Sequence, residues 1–144
     1  MRIARLSLVL AALACGKRTE ITGPAPTGLA AAVVGTWNLT QVCGGLVATC
    51  RDPGTVSAPN RVVFYANGTT DLYRAGVSTP TRGSWSVIAS KTDSLRAGTA
   101  ILSPGLEAAT DTLSLTFSIE GELMLAEPCC DRFQYTFVRH YPPD

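Results

Sequence analysis

Alternation of apolar and polar side chains is the feature of this sequence that most limits the folds open to it. Residues 111–119, DTLSLTFSI, carry leucine, phenylalanine or isoleucine at every second position from 113, with threonine or serine between them. Successive side chains of a β-strand point to opposite faces, so this pattern is typical of a strand with one buried face. From about residue 32 onwards the strand period is far commoner than the helical period, which predicts an all-β domain.

Turn residues divide the alternating segments into short strands. Asn-Gly at 67–68 lies between segments 61–65 and 69–74, and this pair supplies the positive φ angles that a tight hairpin requires. Glu-Gly at 120–121 repeats the pattern within 118–125. Further strands are predicted at 33–43, 83–89, 98–102 and 132–140, with a weaker one at 46–49. Together these make about eight or nine short strands, and the only alternative that includes a helix places a short one over 29–34.

The two ends of this strand series carry residues that favour closure into a barrel. Up-and-down antiparallel strands hide their edges either by closing on themselves or by packing as two sheets. Gly35 and Trp37 begin the first strand, and Arg139 lies near the end of the last. A glycine permits close passage of the chain, the indole fills the barrel mouth, and the arginine can stack over it. We therefore predict an up-and-down antiparallel eight-stranded barrel, with a β-sandwich as the alternative.

Several segments, in this order, resemble the lipocalin superfamily. GTWNLTQV contains the GxW motif of the first strand, YTFVR ends in the arginine that crosses over the tryptophan, and RVVFYANGTTDLYR, GSWSV and DTLSLTFSIEGELML lie between them. The chain looks similar to the compact bacterial lipocalin-like lipoproteins over residues 34–140. The resemblance implies a barrel that holds a small apolar ligand, with Gly35, Trp37 and Arg139 as the barrel-closing motif. Because the domain is short for a lipocalin, a roomy cavity is not expected.

The first residues of the chain predict export. Arg2 and Arg5 precede an apolar run at residues 6–14. This run is too short to span a bilayer, because a transmembrane helix needs about 20 residues. The run ends in ALACG, which resembles the lipobox of bacterial lipoproteins, where a diacylglyceryl group is attached to the cysteine. The resemblance implies lipidation of Cys15 and, because a glycine follows, sorting to the outer membrane. An ordinary signal peptide that leaves Cys15 free is the alternative.

Three regions are therefore predicted along the chain. Residues 1–14 form the signal peptide, and residues 15–31 form a lipidated, flexible tether rich in small and polar residues. Residues 32–144 form the lipocalin-like β-barrel domain. The protein is expected to be exported and lipid-anchored to the bacterial cell envelope.

The charge balance argues against nucleic acid as a partner. The chain has 12 Lys+Arg and 11 Asp+Glu, and loss of Arg2 and Arg5 with the signal leaves 12 − 2 = 10 basic residues against 11 acidic ones. A chain this close to neutrality has no strong attraction for nucleic acid or anionic lipid. The expected partners are the membrane, through the N-terminal lipid, and a small apolar ligand or an envelope protein.

Four cysteines remain besides Cys15, and exported proteins usually pair an even number of thiols. They are Cys43, Cys50, Cys129 and Cys130. A barrel places its first and last strands side by side, so Cys43 is expected beside the 129–130 pair. We predict two bridges that link Cys43 and Cys50 to Cys129 and Cys130 in some order. The alternative joins Cys43 to Cys50 and Cys129 to Cys130.

No residue pattern predicts catalysis, a cofactor or a metal. The single imidazole, His140, stands at the end of the last strand and has no recognisable nucleophile to serve. The cysteine spacing fits neither a common zinc site nor a CxxC motif. An acidic group formed by Glu120, Glu122, Glu127 and Asp131 predicts a solvated rim rather than a calcium loop. The protein is therefore expected to be non-enzymatic.

Two functions fit these features. The first, implied by the resemblance, is a membrane-anchored envelope lipoprotein that binds a small apolar ligand. The second is a structural or interaction lipoprotein with a filled barrel. The fold does not distinguish the two functions, but the barrel interior does, because a carrier needs an apolar cavity above roughly 300 Å³.

Overall fold

The computed structural model describes residues 25–44, 49–128 and 133–141. Regular structure there consists of one short helix, one 3₁₀ turn at Pro53–Thr55 and nine strands. The helix and strands are α1 Gly28–Val33, β1 Gly35–Gly44, β2 Thr49–Arg51, β3 Arg61–Phe64, β4 Thr69–Tyr73, β5 Thr81–Ala89, β6 Ala97–Ser103, β7 Asp111–Phe117, β8 Leu123–Ala126 and β9 Phe133–Arg139. The prediction of an all-β domain is confirmed.

Eight of these strands close into an antiparallel barrel. From β3 to β9 each strand pairs with the next, while β1 pairs with β3 on one side and with β9 on the other. The seam between β1 and β9 runs from Trp37 opposite Arg139 to Gly44 opposite Phe133, with a bulge around position 40. The remaining strand, β2, pairs with β1. The predicted barrel is therefore confirmed, and the β-sandwich alternative is wrong.

Strand β7 shows how the alternating sequence produces the barrel. Leu113 and Leu115 are each 1% exposed, whereas the threonine and serine residues between and beside them face solvent. Leu113 lies opposite Ala100 of β6, and Leu115 lies opposite Leu125 of β8. Neighbouring strands therefore contribute to one common core, in which burial of each leucine stabilises the fold by about 1.5–3 kcal/mol.

The hairpin between β3 and β4 has the predicted Asn-Gly turn. Gly68 has a φ of +80°, and its backbone N–H donates to the Tyr65 carbonyl at 3.1 Å. The side-chain oxygen of Asn67 accepts hydrogen bonds from the backbone N–H of Thr69 at 3.0 Å and from its hydroxyl at 2.7 Å. This turn fixes the register that aligns the inner faces of the two strands.

The alternation of β7 ends earlier than the sequence suggests. The pattern places Ile119 on the buried face, but its side chain is 91% exposed. The strand ends at Phe117, and the chain then turns, with the N–H of Gly121 donating to the Ser118 carbonyl at 3.1 Å. Gly121 has a φ of +85°, which glycine adopts without steric cost. The prediction of a buried Ile119 is therefore wrong.

The helix α1 lies partly within residues 15–31, which the sequence assigns to a flexible tether. Leu29 and Val33 are buried, and because they are one helical turn apart they lie on the same face. The Leu29 side chain reaches the backbone of β6, where a β-carbon added at Gly98 would lie 2.7 Å from it. Residues 28–31, which the sequence assigns to the tether, therefore belong to a helix that packs on the barrel. No helix among the described residues has the length and apolar character needed to cross a membrane.

The antiparallel strands give the barrel two distinct ends. The end that carries α1, called the helix end below, also holds the turns 65–68, 90–96 and 118–122 and the residues that follow β9. The other end, called the loop end, holds the connections 52–60, 74–80 and 104–110. Each end is closed by a different set of side chains.

Candidate functional site

Trp37 and Arg139 form the pair that the sequence predicts at the helix end. They lie opposite each other across the seam, and the guanidinium carbon of Arg139 lies 4.4 Å from the centre of the Trp37 ring. The buried indole also packs against Phe117, with ring centres 5.8 Å apart. A guanidinium over an indole face is attracted by the ring quadrupole. The pair therefore fills the barrel mouth and holds β1 and β9 together there.

Both side chains also hold α1 in place. The Trp37 indole N–H donates to the Val33 carbonyl at 2.8 Å. The Arg139 guanidinium donates to the Val34 carbonyl at 3.0 Å and to the Ala32 carbonyl at 2.5 Å. Carbonyl groups at the C-terminal end of a helix have no partner within the helix, so these bonds satisfy them. Closure of the barrel and docking of α1 therefore depend on the same two side chains.

Gly35 completes the barrel-closing motif because a larger residue there would displace the Arg139 guanidinium. A β-carbon at this position would lie 2.6 Å from a guanidinium nitrogen of Arg139. The φ of +141° also falls in a region that side-chain-bearing residues rarely adopt. The three residues predicted for this motif are therefore brought together by the fold.

Replacing Arg139 with alanine is expected to destabilise the protein by about 2 kcal/mol, because it removes two charged hydrogen bonds and the contact with the indole. For a domain of this size the melting temperature should fall by roughly 8 °C. Thermal unfolding followed by circular dichroism measures the change. Arg139→Lys keeps the charge but not the planar fork, so it should restore only part of the loss. An unchanged melting temperature in the alanine variant would contradict the closing role.

At the loop end, the connection 104–110 folds over the barrel mouth. Leu106 is 0% exposed and belongs to the buried core. The Asp111 carboxylate accepts a hydrogen bond from the Leu106 N–H at 2.6 Å. The Arg74 guanidinium donates to the carbonyls of Leu106 at 2.8 Å and Ser57 at 3.3 Å, which joins two connections. Leu106 therefore closes this mouth as Trp37 closes the other.

Tyr135 of β9 is a buried aromatic residue with a polar group near the loop end. Burial raises the pKa of its hydroxyl well above the ordinary value, and the negative charges of Glu107, Glu127 and Asp111 raise the pKa further. The hydroxyl therefore stays protonated at neutral pH. A neutral, buried phenol of this kind is suited to packing and not to acting as a base or nucleophile.

Side chains fill the barrel between its two ends. Eleven large side chains that face inward from seven of the eight barrel strands are 0–3% exposed and belong to one core cluster. They are Trp37, Val62, Phe64, Leu72, Leu102, Leu113, Leu115, Leu123, Leu125, Tyr135 and Phe137. An eight-stranded barrel is just wide enough for its own side chains to occupy the interior. Among the described residues, the interior therefore resembles an ordinary protein core.

A polar cluster lies on the outer surface of β3–β5. The Asp71 carboxylate is buried and accepts hydrogen bonds from Arg82 at 2.9 and 3.3 Å and from the Tyr65 hydroxyl at 3.0 Å. The bond to Asp71 raises the pKa of Arg82. Burial and the bond to Asp71 raise the pKa of Tyr65. Both donors therefore keep their protons, and the cluster stabilises the strands without offering a reactive group.

The cysteine pairing differs from the expected one. Cys43 of β1 is bonded to Cys50 of β2, which lies directly opposite it. The prediction that Cys43 and Cys50 pair with Cys129 and Cys130 is wrong, and the alternative is confirmed for this bridge. The chain reverses after Gly44 to form β2, and this hairpin brings the two thiols together. Cys15, Cys129 and Cys130 lie outside the described residues.

The predicted acidic rim is divided between the two ends of the barrel. Glu120 and Glu122 lie in the turn between β7 and β8 at the helix end. Glu127 follows β8 at the loop end, where its carboxylate accepts a hydrogen bond from the Phe133 N–H at 3.4 Å. Asp131 lies outside the described residues. The four acidic residues therefore do not form one cluster.

His140 lies at the helix end, immediately after β9. It is exposed, and its Nδ1 lies 3.2 Å from the side-chain nitrogen of Asn38. Within residues 25–44, 49–128 and 133–141, no group of three His, Cys, Asp or Glu side chains could hold a metal ion. The imidazole of His140 is therefore engaged with the Asn38 side chain at the surface of the barrel.

A shallow groove of about 240 Å³ lies beside the turn between β7 and β8. It is lined by Glu120, Gly121, Glu122, Val138, Arg139 and Tyr141. The guanidinium of Arg139 is already used to hold α1, as described above. The groove is smaller than a typical small-molecule pocket, which measures about 300–1,000 Å³.

No protein-family model, curated protein or solved structure matches the chain. The eight-stranded antiparallel barrel is consistent with a lipocalin-like fold. Inference about function therefore rests on the closed ends, the filled interior and the outer surface of the barrel.

Proposed function

We propose that this chain is a non-enzymatic, lipid-anchored lipoprotein of the bacterial cell envelope, with a structural or interaction role exercised through the outside of a filled barrel. The packed interior carries this proposal. A carrier of apolar molecules needs a contiguous cavity above roughly 300 Å³, whereas eleven large inward-facing side chains of this barrel are 0–3% exposed and pack in one core cluster. Both mouths are also closed by the chain's own residues, Trp37 with Arg139 at one end and Leu106 at the other.

The disulfide between Cys43 and Cys50 supports a location outside the cytoplasm. Disulfides persist in oxidising compartments and are rare where glutathione keeps thiols reduced. The lipobox-like sequence around Cys15 supplies the anchor in this proposal. Each buried methylene of an attached acyl chain adds about 0.8 kcal/mol, so several chains hold a protein on a membrane without a transmembrane helix.

The titratable side chains support a non-enzymatic role. The Tyr135 hydroxyl is held protonated by burial and by neighbouring carboxylates. Asp71 is engaged by Arg82 and Tyr65 on the outer surface. Both arrangements satisfy polar groups and stabilise strands, whereas an acid–base catalyst needs a group within reach of a substrate proton.

Mass spectrometry of the protein purified from its native membranes tests both parts of the proposal. We expect a mass increase that maps to Cys15 and corresponds to attached acyl chains. We expect no lipid or other small molecule to be released in a one-to-one ratio when the purified protein is extracted with organic solvent, because the interior has no room for it. Recovery of one apolar molecule per protein would instead assign the chain as a carrier.

Two cysteine variants provide the matched comparison for the anchor. Cys15→Ser should lose the added mass and move from the membrane fraction to the soluble fraction. Cys50→Ser, which breaks the Cys43–Cys50 bridge instead, should keep the added mass and remain with the membrane. Retention of Cys15→Ser in the membrane fraction would contradict lipid anchoring through this residue.

A further inference from the structure

Large apolar side chains are exposed at the helix end. Ile88, Leu95, Ile119 and Tyr141 are 62, 69, 91 and 75% exposed, respectively. Ile88 stands near the end of β5, Leu95 and Ile119 occupy turns, and Tyr141 follows β9. Solvent-exposed turns are usually polar, so apolar residues in adjacent turns mark a contact surface. At the loop end, Val77 is the corresponding exposed apolar residue, at 53%.

Two hydrogen bonds and a common groove connect the segments that carry Leu95, Ile119 and Tyr141. The Arg96 guanidinium, next to Leu95, donates to the Ser118 carbonyl, next to Ile119, at 3.0 Å. The Phe117 N–H donates to the Arg96 carbonyl at 2.8 Å. Tyr141 lines the same groove as the turn that contains Ile119. The exposed side chains therefore belong to neighbouring segments of one rim.

The N-terminal segment reaches the barrel at this same end. The described chain begins at Ala25 and enters α1 at Gly28, and Leu29 packs against β6. Cys15 lies ten residues before Ala25 (25 − 15 = 10). Ten residues reach at most about 36 Å when fully extended, so a lipid on Cys15 keeps α1 within that distance of the bilayer.

The charges on the described residues of the helix end are balanced. Three basic residues, Lys91, Arg96 and Arg139, are matched in number by three acidic ones, Asp93, Glu120 and Glu122. Attraction to anionic headgroups adds about 1 kcal/mol for each uncompensated basic residue, and none is uncompensated here. Contact of this rim with a membrane would therefore depend on its apolar side chains and would not require anionic lipid.

We propose that the helix end rests on the bilayer, with Leu95 and Ile119 inserted at the boundary between headgroups and acyl chains and the loop end directed away from the membrane. This inference rests on the proposed lipid anchor. The anchor holds the helix end near the surface, and the two apolar turns fix its orientation. The loop end is then the part of the barrel that remains accessible to a protein partner.

Tryptophan fluorescence in vesicles containing brominated lipid tests this orientation. The mature lipidated protein, which begins at Cys15, is reconstituted in phosphatidylcholine vesicles, with and without bromine on the acyl chains, as the variants Leu95→Trp and Ile119→Trp. Interfacial segments enter about 5–10 Å below the headgroups, so we expect bromine near that depth to reduce the added fluorescence about twofold. The native Trp37 and Trp85 are buried, and their signal is subtracted with the unsubstituted protein.

Val77→Trp is the matched control, because it places the same side chain on an exposed turn at the loop end. Its fluorescence should be unchanged by bromine. Equal quenching at both ends, or no quenching at Leu95 and Ile119, overturns the orientation. A concentration-dependent blue shift of Ile119→Trp emission without vesicles also overturns it and assigns the rim to a second copy of the chain.

Flotation of the unsubstituted protein with vesicles separates this inference from the anchor on which it rests. If the protein floats but the tryptophans at positions 95 and 119 are not quenched, the proposed orientation is contradicted and lipid anchoring is still supported. Failure of the mature lipidated protein to float would contradict both the orientation and the lipid anchor.

Discussion

Replacing Trp37 with alanine is expected to lower the free energy of unfolding by about 3–5 kcal/mol. The indole is buried at the helix end, so its removal leaves a cavity that the surrounding strands can only partly fill. The substitution also removes the surface on which Arg139 stacks, the packing against Phe117 and the hydrogen bond to the Val33 carbonyl. Urea denaturation followed by circular dichroism measures the loss.

Trp37→Phe separates the contribution of the ring from that of the indole N–H. Phenylalanine still fills much of the mouth but cannot donate to the Val33 carbonyl, so its cost should be about 1–2 kcal/mol. Tyr141→Ala, at an exposed aromatic residue of the same end, should change stability by less than about 0.5 kcal/mol. If Trp37→Ala were no less stable than Tyr141→Ala, Trp37 would not be the residue that closes the barrel.

Leu106→Ala is expected to cost about 2–5 kcal/mol, although position 106 lies in a connection between strands. Most substitutions in connecting segments are mild because their side chains face water. Leu106 is an exception, since its side chain is fully buried in the core and its backbone is held by Asp111 and Arg74. Chemical denaturation of the variant gives the change in free energy.

Leu95→Ala is the matched control for Leu106→Ala. It makes the same substitution in another connection, at a side chain that faces solvent. We expect a change below about 0.5 kcal/mol. Similar losses in the two variants would show that Leu106 does not close the loop end. Leu106→Ala should also create a small apolar space, so binding of a benzene-sized probe is expected in this variant and not in the unsubstituted protein.

The strands could be predicted from the sequence because their pattern is local. Leu113 and Leu115 alternate with polar residues, and the Asn-Gly pair at 67–68 favours a hairpin through its own backbone preferences. Closure could also be predicted, since Trp37 and Arg139 have shapes and charges that suit a barrel mouth and lie in the first and last strands. In both cases the type of residue at a position is enough to indicate the structure that it forms.

Other features depend on contacts between segments that have no sequence pattern of their own. The run 28–33 is too short and too uniformly apolar to show helical periodicity, and it becomes a helix because Leu29 and Val33 pack on the barrel. A single leucine in a connection, such as Leu106, gives no periodic signal. The Cys43–Cys50 bridge requires the small hairpin between β1 and β2, whereas the position of the last strand beside the first indicates only that Cys43 lies near 129–130.

The seam between β1 and β9 joins the two ends of the folded sequence. Trp37 lies opposite Arg139, 102 residues further along the chain (139 − 37 = 102), so the barrel closes only when its last strand is present. Pairing between residues so distant in sequence is slow, because the loop between them must be ordered first. A chain that emerges N-terminus first, from a ribosome or through a translocation pore, therefore keeps one side of β1 unpaired until nearly the whole domain has appeared.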